Sequence, residues 1–452
     1  MLRLLFAIMI FYVVYSLHYP FETGIPAVNV SNLLFGAIII AILSHAQAHP
    51  IDVRATLTWP LLIFFSSLVA AFVIARATSA GDLLVDVTYL KNGLFYPLFY
   101  FIALRSRLDL KQTRQMIILI LAVAALAGVQ AIRQGVDYGI GEFVETHRAS
   151  GPFGTTFAMA NRAGVYYAMY VPMFTTIALT FHRQKFWRIA GLAGLALMAL
   201  AIMFTYSRQS YGIALIGIAL VFLRRSLLLS ILMAGAIVLL VGYLPSSVTE
   251  RVRETEQRSA HGAVEVDPST ASRWEIWAGG MDMWSEHPFG VGLNRFKDNI
   301  GNYAHAFEGY DAHNYYVLTL CEGGVVGIAA LAWLILSLLR FARRLRLAAP
   351  PGDAEAQGLT LGFGALVVCM AMGNLYGSPF SEGAVMGNFW MLCGLLERYI
   401  ALKNFVEPRE AESEDDAAQA SMLQRFPLAA RAAGTRGQVA VARVLPKPPA
   451  DI

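Results

Sequence analysis

Charged side chains are scarce in this chain of 452 residues, 15% of it against 57% hydrophobic. A soluble protein of this length could not hide so much apolar surface in its cores, so the composition points to a polytopic membrane protein. Cysteine is rarer still: there are only Cys321, Cys369 and Cys393. All three sit in apolar stretches without metal-like spacing, so neither a disulfide framework nor a zinc site is expected. The formal net charge is only +4 and the basic residues are dispersed through short loops, which argues against a nucleic-acid face. Also lacking are an internal repeat and a two-fold pseudo-symmetry of spans, features that transporters usually show. The N-terminal MLRLLFAIMIFYVVYSLHYPFE has the charge and apolar run of a signal peptide but no small-x-small cleavage site. It reads as an uncleaved first span.

What the chain does have is apolar runs long enough to cross hydrocarbon as helices. They centre on Leu4 to Leu17, Val28 to Leu43, Leu57 to Ala75, Val87 to Leu104, Met116 to Ile132, Ala163 to Phe181, Trp187 to Tyr206, Tyr211 to Leu223, Ser226 to Leu244, Tyr315 to Leu339, Leu359 to Tyr376 and Val385 to Leu402. The fold class expected is therefore all-α, with about twelve transmembrane helices. Basic residues fall in alternate loops: Arg3, Arg54, Arg105 to Arg114, Arg183 to Arg188, Arg224 with Arg225, and Arg340 to Arg346. By the positive-inside tendency those loops and both termini are cytoplasmic. The organisation expected is nine helices over residues 1–244, a large outward loop over 245–313, three helices over 314–402, and a disordered cytoplasmic tail over 403–452.

Three outward segments break the short-loop pattern: residues 133–162, the tight SRQS at 207–210, and residues 245–312. In the last, ETEQRSAHGAVEVDPST looks mobile, whereas SRWEIWAGGMDMWSEHPFGVG predicts a helix capped by Ser272 and ended by His287-Pro288. Its Trp274, Trp277, Met281 and Trp284 suit either a helix lying in the outer interface or a stripe packed on neighbouring spans. Gly290 and Gly292 let the chain turn sharply back, and His287 and His305 suit turns better than chemistry.

The polar residues that need explaining gather on the outward side: Arg148, Asn161, Arg162, Arg208, Arg273, and His313 with Asn314. Glu322 lies slightly deeper, and Lys91 sits in the outer half of the fourth run. Ionisable groups at membrane depth are costly unless paired or hydrated, and are functional suspects. Guanidinium forks bind phosphate oxygens bidentately and stay charged at any working pH. Several arginines with one histidine therefore suit an anionic, lipid-linked substrate such as a diphosphate.

The series ASGPFGTTFAMANRAGVYYAMYVP, FTYSRQSYGIALIGIAL, ASRWEIWAGGMDMWSEHPFGVGLNRF and AHNYYVLTLCEGGVVGIAAL resembles the O-antigen ligase and polymerase superfamily over roughly Gly151 to Leu339. One departure is GPFGTTFAMANR, where that family often has a compact Pro-Asn after the glycine. The resemblance implies a multi-span, GT-C-like glycosyltransferase of the bacterial inner membrane. It would act at the periplasmic face, without metal or cofactor, on glycans carried by undecaprenyl diphosphate. The outward segments hold no DxD-type motif, and fixed arginines can stabilise a diphosphate leaving group. On this reading Arg208 and Arg273 hold the diphosphate, and Arg162 and Lys91 assist. His313 accepts the proton of the acceptor hydroxyl, while Glu322 fixes the geometry by pairing with one of these bases. Asn161, Asn314 and Arg148 complete the substrate site. A single displacement gives inversion at the anomeric carbon. Transfer to a lipid A core, polymerisation of O-antigen or exopolysaccharide repeats on a growing glycan, and a protein-directed reaction share this donor site. A lipid-linked glycan flippase is the rival from another class.

Overall fold

The computed structural model describes residues 1–19, 29–44, 54–79, 81–139, 144–154, 156, 159–181, 184–226, 228, 230–232, 235, 256–258, 264–266 and 268–425. The helices are α1 (Leu2–Tyr15), α2 (Val30–Ser44), α3 (Thr58–Thr78), α4 (Leu83–Phe95), α5 (Leu98–Arg105), α6 (Leu110–Tyr138), α7 (Ala160–Thr180), α8 (Lys185–Thr205), α9 (Arg208–Leu223), α10 (Pro268–Glu286), the single turn α11 (Phe296–Asn299), α12 (Tyr315–Ala348), α13 (Ala354–Gly373) and α14 (Gly383–Arg425). Residues 1–401 form one compact unit and residues 402–452 a second, of which the described part, to Arg425, is helical. A short antiparallel pair, β1 (Glu256–Arg258) and β2 (Val264–Val266), precedes α10.

Among the described residues five helices, α3, α6, α8, α12 and α13, are long and apolar enough to cross a membrane, and α1, α2 and α9 are shorter apolar helices. Eleven of the twelve apolar runs fall on described helices, while Ser226 to Leu244 lies largely outside the described residues. The expected fourth run divides into α4 and α5 at Tyr96-Pro97, because proline has no N–H to continue the ladder. The sixth is the centre of the bundle. Eighteen of the 21 residues of α7 are buried, packed between α8, α9 and α13, as a helix apolar on every side should be.

Helix α10 starts at Pro268, earlier than the expected Ser272 cap, since proline is favoured in a first turn whose N–H groups lack helical partners. Its tryptophans do not form one stripe. Ile276, Gly279, Gly280 and Met283 are buried, Trp274 and Met281 are exposed, and Trp277 lies between. The buried face packs on α12, where Cys321 Sγ lies 3.1 Å from the Gly280 carbonyl.

α12 is two helical pieces joined at Gly324, whose backbone is left-handed and extended (φ 61°, ψ −158°). The break frees carbonyls that residues 288–293 then take up: Val291 N–H donates to Cys321 O (2.9 Å) and Gly292 N–H to Glu322 O (3.1 Å). In return Val325 N–H donates to Pro288 O (3.0 Å), and Leu293 N–H reaches Ala71 O of α3 (2.9 Å). Irregular backbone at membrane depth is tolerated where protein satisfies its polar groups in this way. A Cβ on Gly290 would collide with the Glu322 carbonyl, and one on Gly292 with Ala75. These glycines therefore do more than turn the chain: they let one strand of backbone lie inside another helix's gap.

Candidate active site

The ends of α7, α9, α12, α13 and α14 meet around the link between α13 and α14, residues 374–382. Gln209 Nε2 donates to Gly373 O (2.8 Å), and Tyr315 N–H donates to Asn374 O (3.0 Å) and Gly377 O (3.1 Å). Asn374 Oδ1 in turn accepts from Phe380 N–H (3.0 Å). Tyr376 lies beneath Arg273, whose Cζ is 5.8 Å from the ring centroid, a cation–π arrangement. Trp277 packs on the same ring at 5.4 Å between centroids, and its Nε1 donates to Ala312 O (2.8 Å). Glu382, at the end of the link, forms an ion pair with Arg162. That pair offsets the cost of a cation in the first turn of α7, where the helix dipole is positive.

His313 stands exposed at this corner in a left-handed conformation (φ 49°). Its backbone N–H donates to Asp311 Oδ1 at 3.1 Å, an Asx-type turn, and Asp311 also pairs with Lys297 at 3.6 Å. Partial desolvation lowers the imidazole pKa below its ordinary value; Asp311 pushes it back up, while Arg273 and Lys297 add to the lowering. Burial raises the Glu382 carboxyl above its usual value, opposed by Arg162. A neutral imidazole within the electrostatic reach of Arg273 can accept a proton while the guanidinium holds an anion.

Arg208 is half-buried as the first residue of α9. The corner before it turns through Tyr206, another left-handed residue (φ 49°), and Ser210 Oγ bonds Ser207 Oγ at 2.9 Å. Among the described non-glycine residues only Tyr206, Asn294 and His313 have positive φ. Each such residue costs about 1–2 kcal/mol, so the rest of the structure must hold it, and such strain clusters at functional sites.

Other expected site residues are engaged with the protein. Arg148 is buried, donating Nε to Thr205 O (2.9 Å) and Nη2 to Asn161 Oδ1 (2.5 Å). Asn314 caps α12, its Oδ1 accepting from the backbone N–H of Tyr316 (2.9 Å) and Val317 (3.2 Å). Glu322 is buried and accepts from the Phe296 N–H at 3.2 Å, so it braces the start of α11, where the sequence suggested a pairing with one of the arginines or His313. Lys91 is half-buried on α4, two residues beyond Tyr89.

Sequence reasoning missed Glu382, Tyr376 and Asp311, although the polar island NLYGSPFSEG between two apolar runs was a visible signal. It also missed the pair of Asp86 and Arg295, both buried. Arg295 Nη1 donates to Asp86 Oδ1 (2.7 Å) and Nη2 to Oδ2, while Nε donates to Ser79 Oγ (2.5 Å). Arg76 Nη1 adds a bond to Asp86 Oδ2 (3.1 Å). No group of three or more His, Cys, Asp or Glu side chains that could hold a metal ion occurs among the described residues.

No curated protein matches the chain. Residues 193–332, which carry Arg208, Arg273, His313 and Glu322, match the family model described as O-antigen ligase, and that match supports placing the chain in the O-antigen ligase superfamily.

Proposed function

We propose that this protein is a ligase-type glycosyltransferase. It moves a glycan from undecaprenyl diphosphate to a hydroxyl of a lipid A core or similar acceptor, at the periplasmic face of the bacterial inner membrane. The observation that carries this reading is the corner where His313, with its pKa lowered, lies within the electrostatic reach of Arg273, inside the segment that matches the O-antigen ligase model.

Arg208 and Arg273 hold the diphosphate and stabilise the negative charge that grows on it as the anomeric carbon–oxygen bond breaks. His313 takes the proton from the acceptor oxygen as that oxygen attacks from the opposite side, which inverts the anomeric centre. Arg162 and Lys91 add positive potential. Arg148 and Asn161 hold the α8–α9 corner that carries Arg208, and Asn314 fixes the first turn of α12 behind His313.

The test uses purified full-length protein with an undecaprenyl-diphosphate-linked glycan and a lipid A core acceptor, products being resolved by gel and mass spectrometry. Glycan joined to the core is expected, with loss of transfer on the acid side governed by a group titrating below the ordinary imidazole value, because His313 accepts a proton only when neutral. A ladder of longer lipid-linked chains would replace the ligase reading with a polymerase. Movement of intact donor across liposomes without a new glycosidic bond would replace it with transport.

A further inference from the structure

Beneath the His313 corner, between α3, α4, α12 and the α13–α14 link, lies a cavity of about 220 Å³. Its lining includes Ser67, Tyr89, Asn92, Tyr315, Glu322 and Glu382. Polar groups at membrane depth are costly and mark functional paths by default, yet here two carboxyls, two phenols, an amide and three aliphatic hydroxyls share one chamber with apolar side chains. An apolar cavity of ~150 Å³ accommodates benzene, so this one has room for a saturated six-membered ring and its substituents.

We propose that the cavity is a subsite for one uncharged sugar ring of the acceptor glycan. The inference rests on the glycosyltransferase reading. Carboxyl oxygens accept hydrogen bonds, which suits the hydroxyl groups of a neutral sugar, and the described wall holds no lysine or arginine to receive a phosphate or a uronic acid. A prenyl or acyl chain would leave the amide and hydroxyl groups of the wall facing hydrocarbon without hydrogen-bonding partners. The first donor sugar is tied to a diphosphate, which belongs with Arg208 and Arg273 and meets no lysine or arginine in this wall. The acceptor's ring is the remaining partner. Tyr315, two residues from His313, lies in the cavity wall, so a sugar seated there has a hydroxyl in the neighbourhood of the proposed base.

The test is saturation-transfer NMR on the full chain in nanodiscs, with methyl glycosides of glucose, galactose and N-acetylglucosamine against methyl glucuronoside at equal concentration. Transfer to at least one neutral glycoside is expected, and roughly fivefold less to the glucuronoside, the size of one lost hydrogen bond. Ser67→Phe, which fills the chamber, and Asn92→Leu, which removes the amide at similar volume, should each lower the neutral signal by roughly the same factor. Thermal melting identifies a variant that has failed to fold, and the other then decides. Equal transfer to the glucuronoside, or an unchanged signal in a folded variant, overturns the subsite. No turnover is needed, so glycoside binding alongside absent glycan transfer would remove the ligase reading while the sugar-binding chamber stood.

Discussion

Two clusters of charge, both reached by residues 273–313, differ in how they are held. Around Asp86 and Arg295 every strong group meets a partner of opposite sign or a hydrogen-bonding neighbour, and both residues are buried. Around His313 the geometry is more open: Lys297 pairs with Asp311 at 3.6 Å across exposed surface, Arg273 lies over an aromatic face, and His313 is exposed. The first arrangement is buried, and the second opens to the surface. Charge density alone therefore does not separate a brace from a reachable group; exposure does.

The largest expected effect breaks the buried cluster. Asp86→Ala strands Arg295 in a buried position and should cost about 3–5 kcal/mol of folding stability, read as loss of folded protein in detergent melting. Asp86→Leu combined with Arg295→Met should recover most of that loss, because it removes both charges. The open cluster should respond in the other currency. Arg208→Ala and Arg273→Ala should each lower the rate of glycan transfer by about 10²–10³-fold, with melting nearly unchanged. Near-normal transfer in both variants would remove the diphosphate clamp. His313→Gln should abolish the acid limb of the pH–rate profile and slow transfer by on the order of 10²-fold; a limb that persists would assign the base elsewhere. The smallest effect sharpens the boundary between the clusters. Asn314→Ala removes a helix cap and should cost about 1 kcal/mol of stability, with transfer reduced only as far as His313 shifts.

Sequence reasoning read what is local. The α8–α9 corner at SRQS, the return of the chain at Gly290 and Gly292, and helices on eleven apolar runs follow from short-range pattern and turn chemistry. It did not read what is made at a distance. Asp86 and Arg295 lie 209 positions apart, and neither carries a local signal that names the other. The α12 break was hidden for a related reason: an apolar run looks the same whether its carbonyls are satisfied by the next turn or by a loop thirty residues earlier. Arg148 and Asn161 have the chemistry of ligands for phosphate, yet their geometry binds them to each other. Residue type could not distinguish those cases, because a guanidinium that braces and one that binds differ only in what stands opposite.

The interrupted helix also sets an order of assembly. Residues 288–293 leave the ribosome before residues 321–325, so the earlier segment waits with unmatched backbone amides until the first turns of α12 arrive to receive them. The His313 corner stands at the head of the same helix, and a chain stopped short of Cys321 would hold this segment only through Leu293 on α3 and Arg295 on Asp86, with the amides of Val291 and Gly292 still unmatched.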